Sequence, residues 1–207
     1  MHEEKHRLFS AGAILMCMTT KDLAVTDYTS WGKRTKVEGH IATDLLRGEA
    51  NTKVGTFGDS TDKAFTAQAT VEGQEWDLSF DINGTASATL PDGRVFTADP
   101  GEKGFAKSKN IEIDMDGTQM VAINENKSNW IIDDADSDKV AQFTGVNNGL
   151  RRAILEFDTG RKFPVEQEAF LSWVTRKTLE SRMVGSSWGL TIFLLILTPI
   201  IIFLTFT

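Results

Sequence analysis

The sequence predicts a mainly β protein: an antiparallel barrel or sandwich with one amphipathic helix, followed by a single C-terminal transmembrane helix. Three observations carry this. Apolar residues recur at every second position between 36 and 158. Tight-turn residues separate those runs. The chain from 190 to 206 holds no charged residue. Alternation with period two is the mark of strands with one buried face, and a long uncharged apolar run is the mark of a bilayer span.

The chain begins "MHEEKHRLFSAGAILMCM". Its apolar run over 8–18 has the length of a signal-peptide core, but Glu3 and Glu4 stand where a positive leader belongs. Met16 stands where a lipoprotein box needs a small residue before Cys17. Residues 13–18 are therefore expected to form a first core strand. Cys17 is the sole cysteine, so it forms no intramolecular disulfide, and within an apolar strand it reads as a core residue rather than a nucleophile.

"EWDLSFDI" sets Trp76, Leu78, Phe80 and Ile82 against Glu75, Asp77, Ser79 and Asp81, a half-buried strand. "NIEIDM" repeats the alternation with Ile111, Ile113 and Met115, and "SNWIID", "DKVAQFT" and "LRRAILEFD" continue it. Between the runs stand Asn83-Gly84, "PDG" at 91–93, "DPG" at 99–101, Asp116-Gly117 and "NNG" at 147–149. Each offers the positive-φ residues that hairpins use. Roughly ten short strands at spacings of about 8–12 residues indicate a barrel or sandwich. No Pro- or Gly-rich linker divides them, so 1–165 reads as one β-domain.

The pattern changes after Pro164. "VEQEAFLSWVTRKTLESRM" lacks Gly and Pro and reads as an amphipathic helix over 166–184, with Phe170, Trp173 and Val174 on one face and Arg176, Lys177 and Glu180 on another. Glu166 and Glu168 in its first turn and Arg182 in its last suit the helix dipole. "VGSS" is expected to act as a hinge. Residues 187–206 then supply the ~20 helical residues that cross ~30 Å of hydrocarbon. Trp188 stands at headgroup level, and the Thr191 and Thr198 hydroxyls can bond back to the helix. Pro199 is tolerated in membrane helices. Arg176, Lys177 and Arg182 precede the span, which places the β-domain on the cytoplasmic side of the cell membrane in a single-pass protein. These three form the expected basic group at the membrane surface. Trp188, Phe193, Leu197, Pro199 and Phe203 form the expected interface with membrane and partner. Lys33, Arg34 and Lys36 make a second local basic group.

The strand succession, with its Asp-Gly hairpins and the stretch "SNWIIDDADSDKVAQFTG", resembles the tubby C-terminal/LURP-one/phospholipid-scramblase superfamily over about residues 40–184. The resemblance implies a strand barrel around a hydrophobic helix near the C-terminus, and a role in binding or handling lipid. Either 167–183 or the apolar tail could be the enclosed helix. The former is expected, because the tail has no polar break. The overall plan, a β-domain on one membrane helix, is also similar to auxiliary subunits of bacterial respiratory supercomplexes such as the cytochrome bc1–aa3 assembly.

Signatures of chemistry are missing from the sequence. Its histidines are His2, His6 and His40, in no zinc-binding spacing, and neither a nucleophile elbow nor a phosphate-binding loop occurs. Asp134, Asp136 and Asp138 have EF-hand spacing. Lys139 stands where that loop needs glycine, however, and Gly145 where it needs a bidentate Glu. A formal net charge of -7 argues against nucleic acid as a partner. The expected function is thus a non-catalytic accessory or assembly subunit, without cofactor or metal, whose partners are integral membrane subunits and lipids. The alternative is a lipid-binding module of the scramblase kind.

Overall fold

Strands with one apolar face must bury it, and successive strands joined by tight turns do so most simply by pairing in order. The computed structural model describes residues 27–37, 40–60, 67–126, 128–144 and 153–206, without the side chains of 60, 184–191, 200 and 202–206. The strands are β1 (Tyr28–Trp31), β2 (Thr35–Val37), β3 (His40–Arg47), β4 (Thr52–Ser60), β5 (Ala67–Val71), β6 (Gln74–Phe80), β7 (Ala86–Thr89), β8 (Val95–Asp99), β9 (Asn110–Met115), β10 (Thr118–Asn124), β11 (Asn129–Asp134), β12 (Lys139–Thr144) and β13 (Leu155–Phe157). Two helices accompany them, α1 (Gly104–Lys107) and α2 (Val165–Phe206).

From β3 to β13 each strand pairs antiparallel with the next. β1 closes the ring. It pairs with β13 through Tyr28↔Glu156 and Thr29↔Leu155, and with β3 through Thr29↔Arg47 to Trp31↔Leu45. β2 continues along the same edge of β3, with Thr35 opposite Ala42. β1 and β2 are therefore two halves of one strand position, and the sheet is a closed barrel of twelve positions rather than a sandwich.

Barrel width rises with strand number. Eight strands enclose a space that side chains fill, whereas twelve leave a lumen wide enough for a helix of about 10–12 Å diameter. α2 occupies it. Every residue from Glu168 to Arg176 is buried. The strands make room with small inward residues, Ala69, Ala86, Ala88, Ala98 and Ala122, and fill the remainder with large ones. Phe170 meets Phe96 at 5.6 Å between ring centroids, and Trp173 meets Phe80 at 6.3 Å. Enclosing a phenylalanine such as Phe170 is worth about 2–3 kcal/mol.

The predicted alternation holds in β6, β9 and β11, where Trp76, Leu78, Ile111, Ile113, Met115, Trp130 and Ile132 all face the core. In β12 both Val140 and Ala141 are buried, because the register with β11 shifts between Ile132 and Asp133. Four expectations need correction. The helix over 166–184 is not amphipathic in the sense of one wet face, since strands surround it. "VGSS" is no hinge, because α2 runs unbroken through it: a single mid-helix glycine costs only about 1 kcal/mol. Ile82 ends the β6 alternation in a turn, its carbonyl accepting from the Phe105 backbone N–H at 2.9 Å. The "DPG" at 99–101 makes no hairpin. It leads through a 3-10 turn into α1, whose Phe105 packs on Phe80 at 5.0 Å. The expected strand over 13–18 and the turn at 147–149 lie outside the described residues.

The two rims differ. At the inlet rim, where α2 begins, β3–β4, β5–β6, β7–β8, β9–β10 and β11–β12 are joined by short turns. There Gln167 donates to Thr118 at 3.2 Å and Arg94 lies 3.7 Å from Glu166. At the exit rim, where α2 leaves, the β8–β9 connection with α1 is longer.

Candidate functional site

α2 carries a polar stripe through the barrel, and its ends are held by charge. Glu168 pairs with Arg47 on β3, and Ser172 shares a 2.6 Å hydrogen bond with Thr29 on β1. Burial pushes the Glu168 carboxyl above its ordinary range, and the Arg47 guanidinium beside it offsets only part of that.

One helical turn beyond Ser172 lies the strongest cluster. The Arg176 guanidinium, 2 % exposed, donates to Asp59 at 2.8 Å and to Glu180 at 3.0 Å, and lies 4.6 Å above the Trp31 ring. Lys177 donates to the other Asp59 oxygen at 2.5 Å, and Arg34 reaches Glu180 at 2.5 Å. Nearer the exit, Arg182 caps the Ser108 carbonyl, donates to Asn124 at 3.2 Å and stacks 4.5 Å over Trp130. Burial holds the Arg182 pKa below its ordinary value. Arg176, Lys177 and Arg182, expected at the membrane surface, are thus placed inside the barrel mouth. Their charges are matched by Asp59, Glu180 and a backbone carbonyl, because the strands rise around the helix to that level.

Beyond Met183 the helix leaves the barrel. Ile192, Phe193, Leu194, Leu195 and Ile196 are all more than half exposed, Leu195 reaching 72 %. Five consecutive positions cover every face of a helix, so no side is sheltered. Of the residues expected at a membrane or partner interface, Phe193 and Pro199 are exposed and Leu197 is half-buried, while the side chains of Trp188 and Phe203 lie outside the description. The Thr198 hydroxyl bonds back to the Leu194 carbonyl at 2.7 Å as expected, and Pro199 sits within the helix. Among the described residues no helix is long and apolar enough to cross a membrane.

The acidic turn of Asp134, Asp136 and Asp138 is a hairpin end. The Asp134 carboxylate accepts the backbone N–H of Asp136 and of Asp138, which holds its pKa low, and Arg161 lies 3.0 Å away. Among the described residues no group of three or more His, Cys, Asp or Glu is placed to hold a metal ion. A cleft of about 650 Å3 is an open surface hollow bounded by Tyr28, Trp31, Lys33, Arg34 and Leu46.

Sequence reasoning missed Asp59, Arg47 and Thr29. The signal for Asp59 was present. Phe57 is an inward residue of β4, and period two puts Asp59 on the same, inward face, where a charge requires a partner. No family model, curated protein or solved structure matches this chain.

Proposed function

We propose that this protein is a membrane-anchored, non-catalytic accessory or assembly subunit. In this reading the barrel is displayed on the cytoplasmic face by α2, and residues 187–206 cross the cell membrane beside integral membrane subunits. The observation that carries this reading is the exposure of apolar side chains on every face of α2 from Ile192 to Ile196, on a helix whose other half is locked in a barrel. An apolar surface of this kind is covered in the working state by lipid or by other apolar helices. The uncharged run continues on both sides of those residues, over 190–206. A respiratory supercomplex is one assembly of the required kind.

The alternative, a lipid-binding module of the kind that the likeness to the tubby and scramblase superfamily implies, has a barrel closed around a C-terminal helix in its favour. The lipid-carrier form of the alternative is less favoured, since the lumen that would hold an acyl chain is filled by Phe170, Trp173 and Val174.

The test is purification of N-terminally tagged protein from native membranes in mild detergent, with a chain ending at 186 as comparison. Full-length protein should bring down a stoichiometric set of membrane subunits. The shortened chain, which keeps the buried stretch 168–182, should remain folded and bring down none. Recovery of the full chain from the aqueous fraction would overturn the anchoring. Recovery from membranes with phospholipid alone would overturn the accessory role.

A further inference from the structure

Among the described residues the two ends of the barrel differ in charge. The turns of the inlet rim hold Glu49, Glu72, Asp92, Asp116, Asp136 and Asp138. The arginines there are engaged, Arg94 with Asp92 at 2.6 Å and Arg161 with Asp134, while Lys139 and Lys162 stand exposed with no ion pair among the described residues. The exit rim holds Lys33, Lys36, Lys103, Lys107 and Lys109, all exposed. None of these five forms an ion pair among the described residues, although Asp81, Asp99, Glu102, Glu112 and Glu125 stand on the same side. In a chain of net charge -7, five unpaired lysines thus stand at the end from which the apolar helix leaves, against two at the inlet rim.

The spacing along α2 brings that rim near a bilayer. Arg182 of α2 bonds to the barrel wall at Asn124 and Ser108, and the proposed span begins at Ser187. At 1.5 Å per residue the gap is about 8 Å. The headgroup layer fills about 5–7 Å of it on each side of the hydrocarbon. What remains is shorter than the Debye length of about 8 Å at physiological ionic strength, so the rim charges feel the surface. Because α2 is continuous through 184–189, no flexible linker lets the barrel turn away.

The geometry points to the exit rim as a docking surface for anionic lipid headgroups. Lys103, Lys107 and Lys109, around α1, form its centre, and the acidic inlet rim faces away from the membrane. This deepens the anchoring reading and rests on it, and it moves the membrane-surface basic group from Arg176, Lys177 and Arg182 to residues on the rim itself. A lysine beside an anionic leaflet contributes about five-fold to binding, so losing three weakens docking by about a hundred-fold.

The test uses the full chain with Cys17→Ser and one dye-bearing cysteine, at Glu102→Cys on the exit rim or Asp92→Cys on the inlet rim. Each is reconstituted into vesicles of phosphatidylcholine alone, or with phosphatidylserine, containing a headgroup-labelled acceptor. Energy transfer from position 102 should exceed that from 92 and be strongest with phosphatidylserine. It should fall several-fold with Lys103, Lys107 and Lys109 all changed to Gln, or in high salt. The inlet signal should change in neither case. Transfer from 102 that is indifferent to lipid charge and to the lysines would overturn the docking surface while leaving the anchor intact. Protein that fails to float with either vesicle would overturn the anchor, and the docking surface with it.

Discussion

Replacing Asp59 with Ala should destabilise the barrel far more than losing a surface ion pair would. Exposed pairs are worth about 0–1 kcal/mol, whereas removing one partner of a buried pair costs about 3–5 kcal/mol. The structure selects between these ranges. Arg176 is buried, and Asp59 binds both Arg176 and Lys177, though part of its side chain reaches solvent. Without it Arg34, Arg176 and Lys177 share Glu180 alone. The expected cost is therefore at the lower end of the buried range, about 3 kcal/mol, which lowers the melting temperature of a domain this size by about 6–12 °C. The assay is thermal and urea unfolding of the full chain in detergent, with Arg176→Met and the double variant completing a cycle. The double variant should recover about 2 kcal/mol relative to the sum of the singles. An Asp59→Ala cost below about 1 kcal/mol would refute the reasoning, since it would mean that water screens the cluster.

Phe170→Ala should cost about 3–5 kcal/mol by urea unfolding, because the rigid strands around it cannot collapse onto the cavity. Gly104→Ala should cost more than Gly93→Ala. Both residues have positive φ, but a Cβ at Gly104 would stand 2.6 Å from the Ile82 carbonyl oxygen, while one at Gly93 meets nothing. Gly93→Ala should lie near 1 kcal/mol and Gly104→Ala at 2 or more, read by the same unfolding assay. Leu195→Arg should leave barrel stability unchanged within about 0.5 kcal/mol while disfavouring membrane retention by about 3 kcal/mol, measured by flotation with vesicles. Glu168 should give a pH signature. Its folded pKa lies above the ordinary value near 4.5, so its contribution to stability is fully present below that value and is lost as pH rises through the folded pKa. Glu168→Gln should flatten the pH dependence of unfolding across that window, and a slope identical to that of the unaltered protein would contradict it.

Much of the barrel was legible because each strand states its inward face locally. Trp76 and Leu78, or Ile111 and Ile113, need no knowledge of the rest of the chain to be assigned inward. Closure was not legible, because it depends on Tyr28 finding Glu156 and Trp31 finding Leu45, and no local pattern encodes such pairings. The same gap explains Arg176 and Lys177. On an isolated helix they mark a wet face, and the burial of Arg176 and the half-burial of Lys177 follow only from the strands around them and from Asp59 on β4. The alanines at Ala86, Ala88 and Ala98 were a readable hint that something larger than a side chain occupies the lumen.

The filling of the barrel comes late in the chain, after all the strands that enclose it. During synthesis β1 emerges 128 positions before its partner Glu156 in β13, and residues 165–183 come later still. Until then Trp31, Phe57, Trp76 and Phe96 lack the helix that fills the interior, so the ring is expected to gain its full stability only once α2 has entered. The apolar tail follows the filling at once. If the tail is a membrane anchor, a chaperone or insertase that captures it early would withhold the plug from the ring, and one that acts late would receive a finished barrel. Completion of the barrel and emergence of the apolar tail are therefore coupled through a single helix.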